Sequence, residues 1–293
     1  MSGPGPAELG AVPGEVPHLK LPSPAEVFRR RAERFAELAR GHAAEDWLLA
    51  LSRLCAAQGV ALTRAPADLP GTALPSSVPL RATEWRLAGS WRAGLGAILA
   101  EMRAAPLPDP ARAALARLEY VAPSELDSFA GALLRGRPAP VDLAAAPFVA
   151  AALQAHFTAL ASRLTAAAVE RSAGGCPVCG SPPVAAVVLG DDRVRYLACS
   201  LCASQWHLVR IQCATCRATG GLSYLAIEGD PGGAKAEACG TCRTYLKIFY
   251  LEARPGAEPF ADDTATLALD LLVAEEGFAR GGVNLFLDPG SAG

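Results

Sequence analysis

Lysine is nearly absent from this sequence. Only Lys20, Lys235 and Lys247 stand among 27 cationic residues, and the arginine bias, with abundant alanine, reads as a compositional habit. Against 29 acidic residues the formal charge is −2, so the basic excess of a general nucleic-acid binder is missing. Aromatic residues are few at 6%, but with 51% hydrophobic and 19% charged residues the chain can bury a sizeable core and is not disordered overall. The first 20 residues hold no apolar stretch of the kind a secretory leader carries. Arg29-Arg30-Arg31 precedes a charged amphipathic segment, not the continuous apolar run of a twin-arginine signal. The uncharged run Leu143 to Ser162 is long enough to span a bilayer. It is mostly alanine, however, and contains Pro147, Gln154, His156 and Thr158, so it reads as a buried core helix. No Ser-His-Asp or Cys-His set, Gly-rich phosphate loop or metal-hydrolase motif is present, and nothing argues for an enzyme. These absences point to a cytoplasmic protein with neither membrane nor nucleic acid as partner.

The 293 residues suggest one large domain or two smaller ones. Residues 1–22, rich in glycine and proline, are expected to be a mobile tail, and residues 23–175 a helical domain. Ser23-Pro24-Ala25-Glu26 is a capping-box pattern, and Phe28, Ala32, Phe35 and Ala39 follow on one helical face. A second helix is expected over Glu45 to Ala57, with Leu48, Leu51 and Cys55 inward and Gly59 near its end. Further helices are expected over Glu84 to Ala104, Ala111 to Leu118 and Ser124 to Leu134, then a long one from about Ala145 to Ser172. Beyond Gly174-Gly175 the period shortens to that of strands. Strands are expected over Val184 to Leu189, Arg193 to Ala198, Trp206 to Ile211, Leu222 to Ile227 and Tyr245 to Leu251. Residues 255–293 return to a helix and tail, with Asp262-Asp263 as helix caps and Leu267, Leu271, Ala274 and Phe278 as its apolar stripe. Residues 26–171 carry 17 cationic and 14 anionic side chains and residues 243–293 carry 4 and 8, which suits the last helix packing back on the bundle.

Cysteine is the exception to this plain composition. Eight of the nine cysteines form four C-x-x-C pairs: Cys176/Cys179, Cys199/Cys202, Cys213/Cys216 and Cys239/Cys242. In order they read C-x2-C-x19-C-x2-C, a 10-residue spacer, then C-x2-C-x22-C-x2-C. Each pair can turn two thiolates to one side of a backbone knuckle, and two knuckles joined by a hairpin can close a tetrahedral S4 site. Pairing in sequence order closes the shorter loops and is preferred to a cross-braced arrangement. The fold class expected is therefore an N-terminal all-helical region, two tandem rubredoxin-like or zinc-ribbon modules over residues 176–212 and 213–254, and a C-terminal helix. Two metal ions are implied, Fe or Zn, since both accept soft tetrahedral ligands. Between Cys176 and Cys242 five cations meet five carboxylates, so eight thiolates and two divalent ions would leave about −4, which disfavours phosphate backbone.

Outside the quartets the candidates are few. His207 is not needed as a ligand, because both quartets are complete. Trp206 is either core between the modules or, with Arg210, a partner contact at their junction. Cys55 reads as core.

The stretch CPVCGSPPVAAVVLGDDRVRYLACSLCASQWHLVRIQCATC, then EACGTCRTYLKIFY and ADDTATLALDLLVAEEGFARGGVNLF, resembles the bacterial formate dehydrogenase accessory protein family, FdhE. The likeness covers about residues 22–288. It implies a helical region with two rubredoxin-like modules, with the eight paired cysteines as metal ligands. It also implies a cytoplasmic maturation factor that binds the catalytic subunit of a formate dehydrogenase before export. A rubredoxin-like electron carrier with an S4 iron site is the alternative, and whether the protein forms a homodimer stays open.

Overall fold

The computed structural model describes residues 16–65, 77–85, 89–136, 143–172, 174–190, 192–229 and 233–287. Helix α1 (Pro24–Ala39) starts at Ser23 with proline in its first turn, as the sequence suggests. The capping box does not close: Ser23 makes no side-chain cap bond, and Glu26 is held instead by Arg29, at 2.7 Å. Helix α2 (Glu45–Arg64) runs through Gly59. The roughly 1 kcal/mol a mid-helix glycine costs is offset by continued burial, with Ala61 still in the core. Then come α3 (Gly89–Met102), α4 (Asp109–Leu118) and α5 (Pro123–Leu134). Helix α6 (Ala146–Ala161) is the axis of the bundle, with fourteen of its sixteen residues buried. Its alanines let neighbouring helices approach closely, which explains an apolar run with no lipid to face. It stops at Ala161, eleven residues short of the Ser172 expected. Among the described residues no helix is long and apolar enough to cross a membrane.

The strands are β1 (Leu19–Lys20), β2 (Pro183–Leu189), β3 (Val194–Cys199), β4 (Gln205–His207), β5 (Leu222–Leu225), β6 (Ala234–Cys239), β7 (Thr244–Tyr250) and β8 (Ala279–Arg280). They form one sheet in the order β1-β4-β3-β2-β7-β6-β5, with β8 beside β7. Each cysteine module repeats one plan, knuckle, two antiparallel strands, knuckle, returning strand. The modules join through the parallel pairing of β2 with β7, Ala186 opposite Ile248 and Val188 opposite Tyr250. Strand β6 is not evident in the sequence because its residues, AKAEAC, have little β preference; its neighbours β5 and β7 impose the conformation. Residues 1–15 lie outside the described residues, but the part of the expected tail that follows them is ordered. Leu19 pairs with Trp206 and is buried, and the Tyr196 hydroxyl donates to the Pro17 carbonyl at 2.8 Å.

The C-terminal segment departs most from expectation. Helix α7 (Pro259–Ala265) is capped by Glu258, whose side chain accepts the Ala261 N–H. Asp262 accepts the backbone N–H of the cap residue Glu258 at 2.8 Å, the end-amide role expected of it, whereas Asp263 binds no end amide among the described residues. Both are fully buried inside α7 and carry ion pairs. Asp262 binds Arg34 of α1 at 2.8 Å and Arg254 at 2.5 Å, while Asp263 meets Lys247 of β7 at 3.2 Å and Arg280 of β8. Arg31 of α1, also buried, pairs with Glu258 and lies over the Phe260 ring. This charged seam fastens α7 to both the helical bundle and the sheet, as the opposite charge balance of the two segments suggests. Lys247 also takes the carbonyls of Asp263 and Thr266, and the helix breaks there. The break turns α8 (Leu267–Glu275) so that Leu269 and Val273 face inward. Of the expected stripe only Phe278 packs against the core, half-buried; Leu267, Leu271 and Ala274 are exposed, as is Leu272.

One continuous core runs through α1 to α6, both strand modules and α7. Asp262→Ala removes the fully buried carboxylate that Arg34 and Arg254 share, while Arg34 keeps Glu37, so the loss expected is about 3 kcal/mol. Denaturant unfolding of the full chain checks it, with a single transition shifted as a whole.

Candidate metal centres

Each knuckle begins with a cysteine whose carbonyl or sulfur accepts the N–H groups that follow. Gly180 N–H donates to the Cys176 carbonyl at 2.8 Å, and Arg243 N–H to the Cys239 carbonyl at 2.9 Å. The N–H groups of Leu201 and Cys202 point at Cys199 Sγ, and those of Thr215 and Cys216 at Cys213 Sγ, at 3.3–3.5 Å. The residue after each second cysteine is left-handed: Gly180, Ala203, Arg217 and Arg243 have φ between +56° and +79°. Only the first is glycine, so three knuckles hold a strained residue that the thiolate cluster must over-determine.

The eight paired cysteines converge into two quartets in sequence order, Cys176, Cys179, Cys199 and Cys202, and Cys213, Cys216, Cys239 and Cys242. In the first, Cys176 and Cys202 Sγ lie 3.6 Å apart and Cys179 and Cys199 Sγ 3.4 Å. In the second the corresponding distances are 3.8 Å and 3.7 Å. These are far from the roughly 2.05 Å of a disulfide. They match the edge of about 3.8 Å that four sulfurs at 2.3 Å from one ion would have. The donor set therefore fits a tetrahedral metal ion. Burial, with hydrogen bonds to neighbouring thiols, pushes the Cys176 thiol well up. Burial also opposes ionisation of Cys179, but bonds from Cys176, Cys199, Cys202 and Ser181 outweigh it and bring this thiol well down.

The quartets differ in their surroundings. All four cysteines of the first are buried, because the helical region covers it. Leu80 and Ala82 N–H donate to the carbonyls of Val178 and Cys179, at 2.8 and 2.9 Å. Gln154 of α6, held by Gln58 of α2, donates to the Ser200 carbonyl at 2.8 Å. Among the described residues the second quartet has no such cover: Cys216 is exposed and Cys242 half-exposed. Beside it Thr244 bridges Cys242 Sγ at 3.0 Å and Thr215 at 3.1 Å.

Of the other candidates, Cys55 is fully buried on α2, and burial pushes its thiol far up, which makes it core. His207 packs edge-on against Tyr196; burial, then Arg171 and Arg195, push its imidazole down. Trp206 is 4% exposed and belongs to the core, so its ring is not a surface anchor. Arg210 is half-buried on the linker that follows, where the strand has already ended at His207.

The organising residue of this junction has no signal in the sequence. Arg195 of β3 is buried and pairs with Glu237 of β6 at 2.5 Å, and Tyr224 donates to the same carboxylate. At about 4.8 Å per strand step a flat sheet would hold β3 and β6 roughly 14 Å apart, so the sheet curls to let them meet. The same guanidinium takes the carbonyls of Leu208, Val209 and Gln212, which fixes the linker between the modules.

Comparison with known proteins agrees with this architecture. Three family models match in succession: FdhE, N-terminal, over residues 16–173, FdhE, central domain, over 175–210, and FdhE, C-terminal domain, over 211–287. The central and C-terminal matches each contain one complete quartet. An FdhE homolog from Yersinia enterocolitica is 38% identical over 297 residues, covering 97% of this chain and 95% of its own. A Yersinia pestis homolog is 38% identical over 296 residues, with the same coverage. The crystal structure of the FdhE protein from Pseudomonas aeruginosa superposes with a TM-score of 0.83 at 37% identity, over 94% of this chain and 100% of that one. Sequence, fold and both cysteine quartets thus converge, and the chain belongs to the FdhE family.

Proposed function

We propose that this chain is a cytoplasmic accessory factor, not an enzyme, that binds the catalytic subunit of a formate dehydrogenase and is needed for its activity. The observation that carries this reading is the family match across nearly the whole chain, both quartets included. Each quartet, Cys176, Cys179, Cys199 and Cys202 or Cys213, Cys216, Cys239 and Cys242, holds one Fe or Zn ion. The ions act as staples: a four-thiolate cage leaves no open position for substrate. Binding energies on the order of 10 kcal/mol per site are large beside the stability of a domain. A rigid, metal-stapled sheet beside a helical bundle presents a shaped surface to a client. The exposed edge of the second quartet favours one other reading, a rubredoxin-like electron carrier with iron there. Reversible bleaching of a red protein supports that reading, and a colourless zinc protein removes it.

Two outcomes are expected. Anaerobically purified protein carries two metal ions per chain, and a chelator removes them in two phases, the second quartet first. Cys242→Ser abolishes the fast phase and leaves the slow one, while a single phase or a stoichiometry well below two counts against the assignment. Second, a strain lacking this protein, grown to induce formate dehydrogenase, loses formate-dependent activity. In the wild type the catalytic subunit co-purifies with the tagged protein; normal activity without it, or no co-purification, removes the accessory role.

A further inference from the structure

The linker between the two modules, residues 208–212, buries Leu208 and half-buries Arg210 and Gln212. Its outer ridge is formed by Val209 and Ile211 on a backbone that cannot move freely. Arg195 holds three of its carbonyls and is itself clamped by Glu237. On this fixed backbone Val209 and Ile211 are turned outward, 50% and 69% exposed. Open clefts of about 310 and 410 Å³ lie along the linker, one lined by Val209 and Gln212, the other by Arg210. Among the described residues the first cleft contains Arg171, Arg217, His18 and His207 and no carboxylate. The second contains Arg193, Arg210 and Lys235 with Tyr224 and Tyr250, against one carboxylate among the described residues, that of Glu252. None of these four arginines has a carboxylate partner among the described residues, and the Nε atoms of Arg210 and Arg217 are buried without any acceptor. Arg217 donates to the Gly174 carbonyl and Lys235 lies over the Tyr250 ring, but neither is neutralised by a carboxylate among the described residues. The chain as a whole is slightly acidic, so this concentration of cations beside exposed aliphatic side chains is local.

We propose that this ridge and its two clefts form a docking surface for an acidic polypeptide segment that also carries aliphatic side chains. The aliphatic groups pack on Val209 and Ile211, and carboxylates reach the guanidinium groups on either side. The apolar ridge selects polypeptide over nucleic acid, whose phosphates could use the cations but would leave Val209 and Ile211 uncovered. A backbone already fixed by Arg195 loses little freedom on binding, which favours affinity. The proposal deepens the accessory reading and rests on it for the identity of the client. It moves the contact from the buried Trp206 to its exposed neighbours and keeps Arg210.

The test uses the full, metal-loaded chain and a fluorescein-labelled peptide of alternating glutamate and leucine, with a lysine-leucine peptide and a single-stranded RNA as competitors for the assignment. The acidic peptide is expected to bind saturably. Arg171→Glu with Arg210→Glu, and separately Val209→Ser with Ile211→Ser, weaken it by on the order of 10-fold or more while both metals and the circular dichroism are retained. Leu271→Ser on α8 leaves binding unchanged. Failure to bind, tighter binding of the lysine peptide or the RNA, or equal binding by both double variants overturns the proposal. Helix α8 exposes Leu271 and Leu272 beside Glu275 and Glu276, so a second copy of the chain is the competing occupant. A dimer in light scattering that both Leu271→Ser and the ridge variants dissolve assigns the surface to self-association and overturns the client proposal. If the ridge variants still co-purify the catalytic subunit, the docking surface fails and the accessory role stands. If the wild type binds the acidic peptide but never the subunit, the accessory role fails and the surface stands.

Discussion

The parallel pairing of β2 with β7 is the constraint on which the rest of the molecule depends. Each cysteine module alone offers a short hairpin and a return strand, too little to bury a core. Joining the two by a shared edge makes one sheet with a covered face. Parallel neighbours need a long connection, and here that connection carries the linker, the second pair of knuckles and the strands β5 and β6. The curl that follows brings Arg195 to Glu237 and α7 beneath β2. The metal sites, the linker and the charged seam are all placed by that one junction.

The same arrangement makes two chemically equal quartets physically unequal. The first is closed by the helical region, through the Leu80 and Ala82 amides and through Gln154. An ion there would join both parts of the molecule and be shielded from exchange. The second lies at the edge, with Cys216 in solvent. An identical ligand set can therefore serve as a permanent staple in one place and as an accessible site in another, because desolvation and access are properties of the neighbours and not of the ligands.

Buried charge has a comparable division of labour. Asp262, Asp263, Lys247 and Arg195 are all removed from water, and each is held by more than one partner. Replacing such groups by apolar ones can leave stability unchanged, so their effect is better described as direction: ion pairs permit one relative placement of α1, α7 and β7 where apolar faces would permit several. The arginine that orders the linker also leaves Val209 and Ile211 nowhere to go but outward.

The amino-acid sequence by itself determined the elements whose causes are local or periodic. The C-x-x-C spacing announced two S4 sites because four thiolates on two knuckles admit few other uses. The helices from α1 to α6 followed from their apolar spacing and their prolines, and the core character of α6 from its alanines and embedded polar groups. Long-range pairing decided the remainder. Strand β6 exists because its neighbours hold it, and β1 is ordered because β4 offers an open edge. Asp262 accepts an end amide and pairs with nearby Arg254, uses legible from its place near a helix start, but the other partners of Asp262 and Asp263 lie on α1, β7 and β8, remote in the chain. The outward turn of Leu271 depends on where Lys247 breaks the helix. The unequal cover of the two quartets depends on which module the helical bundle touches. No window of sequence contains those facts, since each is a contact between segments that only the folded chain brings together.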